Sequence, residues 1–127
     1  MPHASPLILV VDDNRDSADM LVEILQFKGV QARAAYDGGQ AVTLARSLAP
    51  AIVFLDLGMP VMDGYQAAAL LRGESAIAPY LVALTAWDDA QTKCRVAAAG
   101  FDRHVAKPSS VAEILSVIEG AAVPVEA

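Results

Sequence analysis

Three carboxylates, a hydroxyl and an ammonium stand at the ends of apolar runs in this chain. The patches are Val11-Asp12-Asp13-Asn14, Leu55-Asp56, Leu84-Thr85-Ala86 and Ala106-Lys107-Pro108. Carboxylates are hard oxygen donors that suit magnesium, which is held by one or two acids, waters and a phosphate oxygen. A hydroxyl and an ammonium suit the other oxygens of a phosphoryl group. The set therefore predicts chemistry on a phosphoryl group beside a divalent cation, with Asp56 as the acceptor. An Asp-Asp pair alone would be ordinary capping or surface material. The spread over four separate runs is what gives the pattern its meaning.

The runs before these patches set the architecture. Residues 7–11 are a continuous apolar run of strand length. Residues 15–28 follow with Ala18, Leu21, Val22 and Leu25 at helical spacing, capped by Asn14 or Asp16 and stopped by Gly29. On that helix Arg15, Asp19 and Glu23 should face outward near the site. Residues 30–35 alternate in polarity like an edge strand, Asp37-Gly38-Gly39 reads as a turn, and residues 40–48 read as a helix ended by Pro50. The most apolar strand, 52–55, is closed by Asp56. A loop through Gly58, Met59, Pro60, Asp63 and Gly64 leads to a helix over 65–72. Residues 80–84 form a strand ending at Thr85. A helix over 88–99 opens with Asp88 or Asp89, where acids suit the positive helix end, and closes at Gly100. Residues 103–106 are a short strand. Ser109 or Ser110 caps a last helix running to about Glu119 and ended by Gly120. The repeated strand–helix alternation predicts a doubly wound α/β fold with helices on both faces of a parallel sheet. Residues just past the strand ends of such a sheet gather at one edge.

The 127 residues suit one domain, with residues 1–6 as a flexible lead-in, 7–120 as the domain and 121–127 as a flexible tail. Apolar residues make up 55% of the chain, above the usual share, so several strands should be buried on both faces. A net charge of −6 argues against non-specific nucleic-acid binding and against an anionic membrane surface. No apolar stretch reaches the length of a membrane span, and the start is not a secretory signal. The one cysteine, Cys94, permits no internal disulfide and fits a reducing compartment. It reads as structural. The expectation is a cytoplasmic protein with neither nucleic-acid nor membrane partner. Phosphate loops of the G-x-x-x-x-G-K-[ST] and G-x-G-x-x-G types are absent.

Clustered carboxylates repel one another, so the site needs a counter-charge. Lys107 supplies one and a metal ion the rest. Thr85 can donate its hydroxyl to a phosphoryl oxygen, although threonine is also common at strand ends for packing reasons.

The constellation resembles the receiver domain of two-component response regulators over almost the whole chain. The matching segments are Val10-Val11-Asp12-Asp13-Asn14, Leu55-Asp56-Leu57-Gly58-Met59-Pro60 with Met62-Asp63-Gly64-Tyr65, Ala83-Leu84-Thr85-Ala86, and Ala99-Gly100-Phe101-Asp102 leading to Lys107-Pro108. The resemblance implies a flavodoxin-like (βα)5 three-layer sandwich with sheet order 2-1-3-4-5 and a cis Lys107–Pro108 bond. It implies that Asp56 is phosphorylated by a histidine kinase or a histidine phosphotransfer protein. Asp12 and Asp13 would hold magnesium, for which manganese can substitute, and the Gly58 carbonyl would complete the metal shell. Thr85 and Lys107 would bind the phosphoryl oxygens, and Ala86 and Trp87 follow in the loop that moves with Thr85. The last two helices and the fifth strand would then present a changed surface, in a monomer or weak homodimer. The first helix would dock the phosphodonor.

Two residues depart from the family pattern. His104 stands where a tyrosine or phenylalanine usually couples to the threonine. It is smaller, polar and titratable, so the coupling would be weaker or pH-sensitive, or His104 would simply be an edge-strand surface residue. Gly58 leaves the phosphoryl group open on one side, while Trp87 can shield the other.

Other readings meet specific obstacles. A phosphohydrolase of the haloacid-dehalogenase type wants a second acid two residues after the nucleophile, where this chain has Gly58. A flavodoxin-like electron carrier would need a Ser-, Thr- and Gly-rich loop after the first strand, where Asp12-Asp13 would repel a flavin phosphate. A phosphorylation-independent, receiver-like interaction module is opposed by the intact Asp13, Asp56, Thr85 and Lys107. Too few residues follow position 120 for an output domain, which leaves a stand-alone receiver or a piece of a longer protein.

Overall fold

The computed structural model describes residues 7–57, 64–73, 79–85, 90–107 and 110–121. Strands and helices alternate as β1 (Leu7–Val11), α1 (Arg15–Phe27), β2 (Gln31–Ala35), α2 (Gly38–Leu48), β3 (Ile52–Asp56), α3 (Gly64–Gly73), β4 (Tyr80–Thr85), α4 (Ala90–Ala98), β5 (Arg103–Ala106) and α5 (Val111–Ala121). All strand pairs are parallel and the sheet order is β2-β1-β3-β4-β5, as the family resemblance implies.

Successive side chains of a strand point to opposite faces of the sheet, and that alternation divides the core in two. Ile8, Val10, Ile52, Phe54, Val82, Leu84 and Val105 pack under α1 and α5, against Ala18, Val22, Leu25, Ile114 and Val117. Leu9, Val11, Val53, Leu55, Leu81 and Ala83 face the other way, against Ala41, Val42 and Ala45 of α2, Ala67, Ala68 and Leu71 of α3, and Val96 of α4. Every residue of β3 is buried, as expected of a central strand covered on both faces. β2 shows the edge-strand alternation over its first residues, with Gln31 and Arg33 exposed and Ala32 buried between them; Ala35, at the strand end, is buried as well.

Local chemistry sets the helix ends. Asn14 is the N-cap of α1, its side-chain oxygen accepting the Ser17 N–H at 3.0 Å. Gly29 ends that helix in the left-handed region at φ 87, where a side chain would be strained. Ser110 caps α5 by accepting the Glu113 N–H at 3.0 Å. One expectation needs correction. Gly38 and Gly39 belong to α2 rather than to a turn, because the Asp37 side chain accepts the Gln40 N–H at 2.7 Å and so starts the helix early. α5 likewise continues through Gly120 to Ala121. The expected caps Asp88, Asp89 and Ser109 lie outside the described residues.

Candidate functional site

The site forms at the edge where the strands end. The register pairs Val11 with Leu55, so the next residues on each strand, Asp12 and Asp56, stand side by side. Asp56 in turn pairs with Leu84, which sets Thr85 one step beyond it. Thr85 pairs with Ala106, and Lys107 follows. Main-chain bonds stitch these ends together. The Asp12 N–H donates to the Ala35 carbonyl at 3.1 Å, Leu57 to Leu84 at 3.0 Å, and Lys107 to Thr85 at 2.7 Å.

Ligand oxygens of Asp12, Asp13 and Asp56 lie within 4.8 Å of one another. Asp12 and Asp56 are buried and Asp13 is exposed, so the cluster opens to solvent on one side. One oxygen of Asp12 accepts the Asn14 N–H at 3.0 Å. The Lys107 Nζ donates to the other at 3.2 Å and stands 3.4 Å from Asp56 Oδ2. Burial pulls the Lys107 pKa down, but the charges of Asp56 and Asp12, with their hydrogen bonds, outweigh it. The ammonium is therefore held above the ordinary lysine value and is charged at neutral pH. Oxygen-only donors of high negative charge, with one side open to water, fit a hard divalent cation.

Thr85 is buried at the end of β4. His104 is half-buried and pairs with Ala83, on the sheet face that carries α4. Thr85 continues that face, two residues beyond Ala83. The structure thus brings together Asp12, Asp13, Asp56, Thr85 and Lys107 and sets His104 on the same face as Thr85. Gly58, Ala86, Trp87 and Pro108, including the bond before Pro108, lie outside the described residues. Cys94 is exposed on α4.

A rim cluster escaped the sequence reading. The Arg15 guanidinium lies 4.3 Å from the Tyr36 ring centroid, and the Tyr36 hydroxyl donates to Asp19 Oδ1 at 2.5 Å. That hydrogen bond, with Asp19's charge and partial desolvation, raises the Tyr36 pKa against the lowering effect of Arg15. Arg15 and Asp19 are one helical turn apart, which the spacing shows. Their meeting with Tyr36 depends on β2 pairing with β1.

A five-stranded parallel sheet in this order, with an acid cluster and a lysine at its carboxyl edge, defines a phosphoacceptor-type α/β signalling domain. The family model of the response regulator receiver domain matches residues 8–119. The chain belongs to that family and is a receiver domain of two-component signal transduction. It is 37% identical over 109 residues to the DNA-binding response regulator MtrA of Mycolicibacterium smegmatis, covering 86% of this chain and 47% of that protein. Identity, length and coverage are the same for response regulator MprA of Mycobacterium tuberculosis. The chain thus spans about half the length of the curated relatives it matches. Among solved structures, chemotaxis protein CheY4 of Vibrio cholerae is similar with a TM-score of 0.88 and 25% identity, over 93% of this chain and 99% of that one. The receiver domain of Francisella response regulator 1452 gives 0.84 and 26%, over 92% and 96%. DNA binding stands in the MtrA name, so these relatives lend no support to the expected absence of a nucleic-acid partner. No helix among the described residues is long and apolar enough to cross a membrane.

Proposed function

We propose that Asp56 accepts a phosphoryl group from a phosphohistidine of a histidine kinase or histidine phosphotransfer protein. The observation that carries this reading is Lys107 Nζ within 3.4 Å of both Asp12 and Asp56, in a site where three carboxylates converge. The ionised Asp56 oxygen attacks phosphorus in line. A P–O bond forms as the P–N bond breaks, and the donor imidazole, protonated on its other ring nitrogen, takes the P–N electron pair and leaves as a neutral group. Lys107 offsets charge on the transferring oxygens, and the Thr85 hydroxyl donates to one of them once the group is on Asp56.

Asp12, Asp13 and Asp56, with the Gly58 main-chain carbonyl, would hold Mg2+ or Mn2+. A bound divalent ion supplies positive charge against the phosphoryl oxygens. The added dianion draws Thr85 inward, and β5 with α4 and α5 presents a changed surface to a downstream protein. His104, on the face of Thr85, is the residue through which that shift would pass into β5. Water later attacks the acyl phosphate, so slow autodephosphorylation is expected. We assign the receiver to residues 7–120 and place its action in the cytoplasm.

Intact mass after incubation with acetyl phosphate, with and without Mg2+, tests the reading. The expected result is a Mg2+-dependent gain of one phosphoryl group in the wild type that is lost in Asp56→Asn. Absence of any gain in the wild type would leave the phosphorylation-independent interaction module as the reading.

A further inference from the structure

Lys107 reaches the acids from the shortest strand of the sheet. β5 has four residues and stands at the sheet edge, beside β4. Arg103 is exposed, His104 and Ala106 are half-buried, and Val105 is buried. A short edge strand with one buried side chain specifies its register weakly by packing alone. Main-chain bonds to β4 flank it at both ends. At the site, the Lys107 N–H donates to the Thr85 carbonyl at 2.7 Å. At the opposite end, just before β5, Asp102 makes two bonds to a single residue. Its N–H donates to the Leu81 carbonyl at 2.8 Å, and its Oδ2 accepts the Leu81 N–H at 2.8 Å. Leu81 is fully buried, so its N–H needs an acceptor, and a carboxylate is a strong one.

We infer that Asp102 is a positioning residue, whose carboxylate fixes where β5 lies along β4 and thereby places the Lys107 ammonium against Asp12 and Asp56. The inference rests on the proposed phosphoacceptor role of Asp56 and the proposed charge-offsetting role of Lys107. Two bonds to one residue resist sliding in both directions, whereas a single bond allows a pivot. The tolerance at the site is small. Lys107 Nζ stands 3.2 Å from Asp12 and 3.4 Å from Asp56, while a slip of one residue moves a strand by about 3.3 Å and turns its side chains to the other face. Asp102 lies five positions before Lys107, roughly 16 Å away along an extended chain, so it touches no reacting group. It is exposed, so its replacement removes little packing. The acids themselves stand at the ends of β1 and β3, which Asp102 does not bond, so its influence should fall on the ammonium and spare the metal ligands.

Phosphorylation of the full chain by acetyl phosphate in Mg2+, followed by intact mass over time, tests this in wild type, Asp102→Ala and Asp102→Asn, with Val42→Ala on α2 as a packing control. Asp102→Ala should slow uptake about tenfold, as a small misplacement of a group at the reacting centre predicts. Asp102→Asn keeps an oxygen acceptor and should return to within about twofold of wild type. Mg2+ affinity, read by NMR titration, should be unchanged or tighter in Asp102→Ala, because the acids stay in place and lose part of the ammonium that competes with the ion. Val42→Ala should lose thermal stability and keep the wild-type rate. A wild-type rate in Asp102→Ala would overturn the inference. So would an Asp102→Asn rate as low as that of the alanine variant, which would assign the effect to charge, or a Mg2+ affinity that falls in step with the rate, which would assign it to general loosening. Should Asp102→Ala not fold, Asp102→Glu takes its place, since it keeps the charge and carries the acceptor one methylene too far; a wild-type rate there overturns the inference equally. If the wild type takes up no phosphoryl group, the reading of Asp56 fails instead. The role of Asp102 is then judged by amide exchange over residues 103–107, where faster exchange in the alanine variant and recovery in Asp102→Asn uphold it and unchanged exchange refutes it.

Discussion

The Lys107 N–H donates to the Thr85 carbonyl at 2.7 Å, so the two residues proposed to grip the phosphoryl oxygens share one main-chain bond across β4 and β5. Neither can shift along its strand without the other. The ammonium is thereby delivered from the sheet's far edge to the carboxylates on β1 and β3.

Removing the ammonium should destabilise the metal-free domain, because Asp12 and Asp56 would then face each other without it. The folded pKa of Lys107 lies above its unfolded value. Its contribution is therefore complete below the ordinary lysine pKa and is lost as pH rises through the raised one. Urea midpoints of wild type and Lys107→Met should differ by a constant amount near neutrality and converge only in strong alkali. A gap that closes between pH 6 and 8 would contradict this assignment.

Asp13 is the exposed member of the acid cluster, so Asp13→Asn should relieve repulsion at little cost in packing. In chelator its melting temperature should equal or exceed that of the wild type. Added Mg2+ should stabilise the wild type by mass action and the variant far less. Thermal melts with and without Mg2+ decide the matter, and equal metal-induced shifts would remove Asp13 from the proposed metal site.

Thr85 is buried, yet its proposed work begins after transfer. Thr85→Ala should take up the phosphoryl group at a rate within a few-fold of wild type but fail to pass the change to β5. Thr85→Ser should restore it. Phosphorylation kinetics read beside exchange at β5 separate the two effects; full switching in the alanine variant would show that the hydroxyl is dispensable.

Stability should depend most on the central strand. Phe54 is fully buried among residues of α1, α5 and the sheet, and Phe54→Ala should cost about 3–5 kcal/mol. Asn14→Ala should cost about 1 kcal/mol, the usual value of an N-cap. Denaturant unfolding of both variants should keep that order.

Much of this was legible in the residue order because burial and periodicity are local properties. The continuous run of β3 marked a strand covered on both faces, and the spacing of Ala18, Val22 and Leu25 marked the buried stripe of α1. The types of Asp12, Asp13, Asp56, Thr85 and Lys107 named the chemistry before any contact was known. The start of α2 was misread because a glycine pair resembles a turn until the Asp37 cap is seen.

The order of the strands and the register between them are different in kind. They depend on which surfaces bury each other, and no segment carries that information alone. A shift of one residue between β1 and β3 would have turned Asp12 away from Asp56. Only the folded chain sets Val11 against Leu55, brings Lys107 to carboxylates ninety-five and fifty-one positions earlier, and places Arg95 over Tyr65. Sequence determined which groups this protein has to work with. Tertiary structure decided which of them meet, because packing of the two sheet faces admits one register and so one arrangement of the strand ends.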